Sequence, residues 1–234
     1  EVARDSEHYK SALTGPNQGR GVALGYWFNI GYKSAVTASV NTDGTVQLVE
    51  GSTDIGGTRT SIAMQFAETL GLAAEDINPS VGDTSSIGYT DVTGGSRVTY
   101  ATGWAAYEAA QDVKAQMIKR AALVWEVDAA QVEYDDGSFR TKDGGKSIGF
   151  KELAGKIDAT GGPVVGQGSV DPEAGVGGSF SVNIADIEVD PETGKVSILR
   201  FTAVQDAGKA IHPSYVEGQM QGGSVQGIGW ALNE

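Results

Sequence analysis

The sequence predicts an α+β fold, in which β-hairpins and helices form a two-layer sandwich of two related halves. Two hairpins with alternating apolar and polar residues predict the strands, one within Val36–Val49 and one within about Phe180–Val204. A segment with helical character follows each hairpin. Hairpins that lead into helices on one side of a sheet are typical of α+β folds.

Two helices are predicted after the first hairpin. Apolar residues at helical spacing indicate a helix from about Thr58 to Leu70, with Gly71 in the position of its C-terminal cap. A short extended segment around Val81 comes next. A long helix then follows residue 97 and ends near Trp125. Its expected buried residues recur every four positions: Ala101, Ala105, Ala109, Val113, Met117 and Ala121.

The remaining elements are less regular. A small hairpin is predicted around Asp136-Gly137, Ser147 is a candidate N-cap of a short helix through Ile157, and Pro213 suits the first turn of a final helix. The range 161–178 is loop-rich and predicts an internal boundary. The expected domain organisation has four parts: a linker or partial helix (1–19), a first α+β half (20–160), a connection (161–178) and the start of a truncated second half (179–234).

Charge and composition exclude several classes of function. Seventeen basic and thirty acidic side chains give a net charge of −13, which argues against binding to nucleic acid or to an anionic membrane. Without cysteine, the chain cannot itself ligate iron–sulfur clusters. Two histidines are too few for a histidine-built metal site. No apolar run reaches the roughly 18 residues of a membrane span, and the cytoplasm is the default compartment.

Glycine is over-represented, with 34 of 234 residues, about twice the usual share. The most informative glycines precede the long helix, in the segment Thr93-Gly94-Gly95-Ser96-Arg97. There the two glycines allow close approach to the backbone, Ser96 is a candidate helix cap, and Arg97 adds bidentate donors. Because free N–H groups at a helix N-terminus favour an anion, this link is a candidate phosphate site.

Two further glycine-bearing segments have similar chemistry. Gly56, Gly57 and Thr58 lead into the first helix just before Arg59, and Gln226 in the last helix offers an amide donor and acceptor. Each segment also has a structural interpretation, either a turn with a cap or close helix packing. Two arginine-bearing links that open helices favour a phosphate-bearing ligand about as strongly as a structural role.

Hydrolytic chemistry has little support. Asp206 and His212 are close in sequence, but no Gly-x-Ser-x-Gly motif supplies a nucleophile. Carboxylates such as Asp83 and Asp91 fit a solvated acidic surface better than an acid–base pair. We expect His8 to lie in a flexible end and His212 to be a surface or capping residue.

Four motifs occur in order along the chain. They are VEGSTDIGGTRT at Val49–Thr60, VTGGSR at Val92–Arg97, QDAGKAIHP at Gln205–Pro213 and VEGQMQGGSVQGIGW at Val216–Trp230. Together they resemble the molybdenum cofactor-binding large subunit of the xanthine dehydrogenase/aldehyde oxidase family. Within the family, the chain looks more like the bacterial multi-subunit enzymes of the carbon monoxide dehydrogenase and isoquinoline or aldehyde oxidoreductase type.

The resemblance implies a hydroxylase that takes its oxygen from water. It implies that the dithiolene of a pyranopterin holds the molybdenum, without a protein ligand to the metal. It assigns cofactor contacts to nine residues: Gly56, Gly57, Thr58, Thr93, Gly94, Gly95, Ser96, Arg97 and Gln226. The implied cofactor is molybdenum–molybdopterin in its cytosine dinucleotide form. The implied partners are a small-molecule substrate, an iron–sulfur subunit or domain and, as a further candidate, a FAD subunit.

Two departures from the family pattern leave alternatives open. The family often has Gly-Gln-Gly where this chain has Gly56-Gly57-Thr58, so the amide expected at position 57 is absent. The family's catalytic glutamate follows the last motif, beyond Glu234, so the chain is expected to be an inactive fragment of a catalytic subunit. A non-catalytic paralogue, or a phosphate-binding domain of the same fold, is the alternative hypothesis.

Overall fold

The computed structural model describes residues 1–83 and 85–234. Six helices are present in this part of the chain: α1 Val2–Asp5, α2 Glu7–Lys10, α3 Thr58–Leu70, α4 Val98–Trp125, α5 Phe150–Ala154 and α6 Pro213–Leu232. Its ten strands are β1 Gln18–Trp27, β2 Ser34–Val40, β3 Val46–Glu50, β4 Ile77–Val81, β5 Val132–Asp135, β6 Ser138–Thr141, β7 Ser147–Gly149, β8 Val164–Val170, β9 Ser179–Val189 and β10 Val196–Asp206. The mixture of helices and largely antiparallel sheets confirms the predicted α+β class.

The chain forms two compact units. One comprises residues 29–176, and the other joins both ends of the chain, residues 1–28 and 177–234. This division differs from the boundaries predicted at 19, 160 and 178. The physical reason is that β1 pairs along its whole length with β9, which ties residues 18–27 to the C-terminal part of the chain.

The unit of residues 29–176 is built on a four-stranded sheet with the order β4-β3-β2-β8. Strand β2 is antiparallel to both β3 and β8, whereas β3 is parallel to β4. Helices α3 and α4 pack against each other and against this sheet. A separate small antiparallel sheet has the order β5-β6-β7. The main core contains, among others, Val36, Ala38, Leu48, Ile62, Phe66, Val113 and Met117, all buried.

Helix α4 lies unusually close to strand β8. A Cβ atom at Gly166 would be 2.5 Å from the carbonyl oxygen of Ala109, and one at Gly168 would overlap the carbonyl oxygen of Ala105. The six residues predicted on the buried four-residue stride of α4 are all buried. The small side chains on the helix, together with the glycines on the strand, therefore allow the backbones to approach each other.

The second unit contains the antiparallel sheet β1-β9-β10. On one face His8 of α2 is buried, with Nδ1 2.7 Å from Thr202 Oγ1 and Nε2 3.1 Å from Asp186 Oδ2. Arg20 of β1 donates two hydrogen bonds to the Asp186 carboxylate. The expectation that His8 lies in a flexible end is therefore wrong. Helix α6 has no buried residue, and a Cβ at position 222, 223 or 227 would meet open space.

Several other local predictions are confirmed and two are wrong. Helix α3 and its left-handed cap Gly71 lie where the sequence predicts them, and α6 begins with Pro213. Ser147 lies in β7 rather than at a helix N-cap, and α5 begins after Gly149. The loop-rich range 161–178 contains β8. Its VVGQGSV sequence is poor in strand signals because its glycines serve the contact with α4.

Candidate functional site

Two of the three predicted segments lie next to each other in the unit of residues 29–176. We call residues 51–58 the first link and residues 93–97 the second link. The backbone N–H of Thr53 in the first link donates to Thr93 Oγ1 in the second at 3.1 Å. Within the first link, the Ile55 N–H donates to Thr58 Oγ1 at 3.1 Å. The structure thus brings the segments 53–58 and 93–97 together, as a common ligand would require.

The third segment belongs to the other compact unit. Gln226 lies on α6 and its side chain is exposed. Among the described residues, a Cβ at Gly222, Gly223 or Gly227 would meet nothing within 4 Å, whereas one at Gly229 would lie 3.3 Å from Glu234 Oε1. Gly222, Gly223 and Gly227 therefore do not serve close packing of α6 against any other part of residues 1–83 and 85–234.

The N-terminus of α3 is largely satisfied by its own link. Gly57 is the N-cap, with φ 80°, a left-handed conformation that favours glycine. The Asp54 carboxylate accepts a hydrogen bond from the Arg59 N–H at 3.2 Å and lies 3.4 Å from Arg59 Nε. An anionic side chain thus already occupies the positive end of this helix, and it pairs with the arginine that the sequence offered to a ligand.

The N-terminus of α4 is more open. Arg97 is its N-cap residue and no side chain caps it. Ser96, the predicted cap, precedes the N-cap and is exposed, with φ 58°. That prediction is wrong, because the left-handed turn at Ser96 places the helix start one residue later. The first N–H groups of a 28-residue helix are therefore left without a side-chain cap.

The two glycines of the second link have different roles. Gly94 is exposed, and a Cβ there would meet nothing within 4 Å. Gly95 has φ 72°, and a Cβ there would be 2.5 Å from Ile30 Cδ1. Gly94 therefore leaves space outside the backbone, whereas Gly95 is required for the turn and for packing against Ile30.

Arg97 is fully buried and points into the protein. Its guanidinium donates to backbone oxygens in two segments, at Gly31, Tyr32 and Lys33 and at Asp91 and Val92, and to the Ser34 hydroxyl. Burial lowers the pKa of this guanidinium, and the nearby charge of Asp91 opposes the shift. The sequence suggested an anion-binding arginine, and the structure gives it protein acceptors instead.

A chain of buried hydroxyls extends from Arg97 to the first link. Ser34 Oγ lies 3.0 Å from Thr102 Oγ1, which lies 2.7 Å from Ser52 Oγ. All three side chains are buried. The sequence did not predict these hydrogen bonds between hydroxyl groups, because single serines and threonines do not indicate which distant residue they will contact.

Glu50, within the first motif, is a further buried polar residue, and the sequence assigned no role to it. It ends β3, it is 1% exposed, and its Oε2 atom has no hydrogen-bond partner in the described structure. Burial raises the pKa of its carboxyl group to about 8, with Asp54 adding to the shift and Arg59 opposing it. The alternation of Val46, Leu48 and Glu50 was the available signal, because it places all three on the core face.

Protein-held metal chemistry has no support in the described ranges. Residues 1–83 and 85–234 hold no group of three or more histidine, aspartate or glutamate side chains that could bind a metal ion. In the same part of the chain, no helix is both long and apolar enough to cross a membrane. The chemically distinctive feature is the exposed backbone before α4, beside the first link.

The comparisons with known proteins identify the family. A family model described as "Molybdopterin cofactor-binding domain" matches residues 3–234. The chain belongs to this family. It is 31% identical to the 6-hydroxypseudooxynicotine dehydrogenase complex subunit gamma of Paenarthrobacter nicotinovorans, over 100% of this chain and 31% of that protein.

Two carbon monoxide dehydrogenases show a further likeness to this chain. It is 29% identical to the large chain from Hydrogenophaga pseudoflava, over 76% of this chain and 23% of that protein. The solved structure of reconstituted CO dehydrogenase from Oligotropha carboxidovorans has a TM-score of 0.77 at 27% identity, over 88% of this chain and 28% of that one. The chain thus spans less than a third of the length of these relatives.

Proposed function

We propose that the chain forms part of the active-site scaffold of a molybdenum hydroxylase, and that its second link binds the phosphate-bearing part of molybdopterin. The observation that carries this proposal is the uncapped N-terminus of α4 beside the exposed, unobstructed Gly94. Backbone N–H groups at the positive end of a long helix bind anions without needing a charged side chain. The burial of Arg97 makes its side chain inaccessible to such an anion and leaves the backbone as the proposed donor.

The roles proposed for the individual residues follow from their positions. Thr93, Gly94, Gly95 and Ser96 form the binding backbone. Gly56, Gly57 and Thr58 approach from the neighbouring link, where Asp54 already satisfies part of the helix start. Gln226 is a further proposed contact, because its exposed amide can both donate and accept.

The bound cofactor would supply the redox chemistry, the oxidation of a small molecule with oxygen taken from water. The residues of this chain would bind and orient the cofactor. We propose no catalytic residue within residues 1–234.

Gly94 offers a direct test. Gly94→Val adds a side chain to open space, at a position outside the left-handed region, so the fold should be retained. The added side chain would block a phosphate from the backbone. We expect the full-length protein to hold less molybdenum and pterin, because a loss of about 1.4 kcal/mol in binding lowers the affinity about tenfold.

Gly21→Val in β1 is the matched control, because that glycine is also exposed and also faces open space. Equal cofactor content in both variants would refute a site at the second link. Absence of molybdenum and pterin from the wild-type natural protein would refute the molybdenum hydroxylase itself.

Two finer assignments belong to the same proposal. The cytosine dinucleotide form of the cofactor is supported by the resemblance to bacterial members, and identification of the nucleotide released by mild hydrolysis tests it. An iron–sulfur partner, with a FAD subunit as a further candidate, is supported by the likeness to a relative named as a subunit of a dehydrogenase complex. Because this chain has no cysteine, the partner would hold the cluster. Iron and acid-labile sulfide in the co-purified complex test this assignment.

A non-catalytic phosphate-binding domain is the second candidate function. The observation in its favour is Gly57, whose φ of 80° is unfavourable for the glutamine that the family often has there. A natural protein that binds an organic phosphate but contains no molybdenum would support this candidate over the first.

A further inference from the structure

We propose that Arg97 is a positioning residue: its buried guanidinium fixes the backbone of the second link against residues 31–34, so that the link can bind a phosphate-bearing cofactor without an arginine contact. This inference rests on the proposed function and assigns Arg97 a role different from that of an anion ligand. It rests on the donor inventory of the guanidinium, the two segments that it joins and the hydroxyl chain beyond it.

All five N–H donors of Arg97 are in use. Nε donates to Gly31 O at 2.6 Å, and Nη1 donates to Asp91 O and Val92 O at 3.2 and 3.3 Å. Nη2 has two hydrogens and three acceptors, Lys33 O and Ser34 Oγ, both at 2.6 Å, and Tyr32 O at 3.2 Å, so that one of its hydrogens is shared between two acceptors. An arginine has no sixth donor, and this one is fully buried, so it has nothing left to offer an anion.

The acceptors lie on two chain segments that are otherwise far apart in sequence. Gly31 and Tyr32 both have left-handed φ values, 65° and 68°, which for Tyr32 is an unfavourable conformation. That conformation turns successive carbonyls toward the guanidinium. The same segments are joined directly, since Asp91 N donates to Lys33 O and Lys33 N donates to Asp91 Oδ2. Arg97 therefore joins residues 31–34 to residues 91–92, immediately before the backbone of residues 93–96.

The hydrogen bonds of Arg97 also connect to the first link. Arg97 donates to Ser34 Oγ, and the hydroxyl chain continues through Thr102 to Ser52. The second connection between the links is the hydrogen bond from Thr53 N to Thr93 Oγ1. One buried guanidinium is thus connected to the backbone around both links, which is what a residue that sets their relative position requires.

Arg97→Lys is the test variant, in the natural protein. A lysine ammonium has three donors on one atom and cannot span acceptors arranged for a planar guanidinium. We expect amide hydrogen exchange in residues 31–34 and 91–96 to become about tenfold faster or more, because local opening becomes easier. Molybdenum content per folded protein should fall in parallel, while exchange in the centre of α4 should not change.

Arg120→Lys is the matched control, since Arg120 also lies on α4 and donates to a backbone carbonyl, that of Thr160. It should leave local exchange at the links and the molybdenum content unchanged. Rescue gives a further readout: in folded Arg97→Ala, guanidinium at non-denaturing concentration should slow link exchange and raise molybdenum content, and ammonium should do neither.

Loss of molybdenum without faster link exchange would overturn the proposal, because it would mean that Arg97 contacts the anion. Unchanged exchange and unchanged molybdenum would also overturn it, as would equal effects of guanidinium and ammonium. If the wild-type protein holds neither molybdenum nor pterin, the proposed function fails. The exchange and rescue measurements then still decide whether Arg97 fixes the link.

Discussion

Glu50 should make the stability of the protein fall as the pH rises. Its carboxyl group is buried at the end of β3, and burial raises its pKa from 4.5 to about 8. In the unfolded chain the same group loses its proton near pH 4.5. Between these two values the folded protein therefore binds a proton that the unfolded chain does not.

The magnitude follows from the two pKa values. Each pKa unit corresponds to about 1.36 kcal/mol, so the difference between 4.5 and about 8 gives an upper limit of about 5 kcal/mol. The favourable contribution is complete below pH 4.5, declines as the pH rises toward 8, and is lost above it. We therefore expect this group to cost about 3–5 kcal/mol of unfolding free energy between pH 5 and pH 9.

Glu50→Gln removes the titration while keeping the shape of the protonated side chain. The amide brings two donors into a place where Oε2 has no partner, so the variant should be about 1–3 kcal/mol less stable than wild type at pH 5. At pH 9 the difference in stability between wild type and Glu50→Gln should become smaller or change sign, because only wild type then carries a buried charge. The decisive quantity is the change in the stability difference with pH.

Urea unfolding followed by tryptophan fluorescence, at several values from pH 5 to pH 9, measures that quantity. Glu133→Gln is the control, because Glu133 is an exposed carboxyl on β5. Its stability should follow wild type across the range. Parallel curves for wild type and Glu50→Gln would refute a proton held by Glu50 in the folded protein.

Two further predictions concern packing and a buried ion pair. Gly168→Ala should destabilise the protein by about 2–3 kcal/mol or more, since the new Cβ overlaps the Ala105 carbonyl oxygen. Gly21→Ala, in open space, is the control in the same urea titration. The Asp186 pKa is lowered, first by the hydrogen bonds from Arg20, so its contribution is present above pH 3.8 and lost as the pH falls through the lower folded value. Asp186→Asn should remove this part of the acid dependence of stability.

Each of these has a contradicting result. A Gly168→Ala protein as stable as the Gly21→Ala control would mean that β8 and α4 can separate at no cost. An Asp186→Asn protein with the acid dependence of wild type would mean that the pair with Arg20 contributes nothing to it.

Local signals predicted much of the fold. Helix α3 ends where Gly71 can adopt φ 58°, and helix α4 ends at Trp125 as its periodicity indicated. The hairpins β2-β3 and β9-β10 follow from alternation and turn residues within a few positions. The sequence did not predict strand β1, because this strand is stabilised by pairing with β9, which lies more than 150 residues further along the chain.

The cofactor site before α4 stays a prediction, but the structure shows that one side chain assigned to it, Arg97, is buried and bonded to protein acceptors. The sequence shows that Arg97 stands at a helix start, where an arginine can serve an anion. It does not show where residues 31–34 lie, and their carbonyls decide the direction of the guanidinium. His8 was misjudged for the same reason, since its partners Asp186 and Thr202 come from the far end of the chain.

The sequence by itself determined the family, the elements with strong local periodicity and the positions of the glycine-bearing links. These depend on short-range patterns, on turn chemistry and on motifs that can be read in order. Only the tertiary structure decided which polar groups are buried. Burial of Arg97, Glu50 and His8 depends on long-range pairing, and the free energy of a charge changes by several kcal/mol with its surroundings. For Arg97, burial decides whether its guanidinium is available to an anion or is bonded to protein carbonyls.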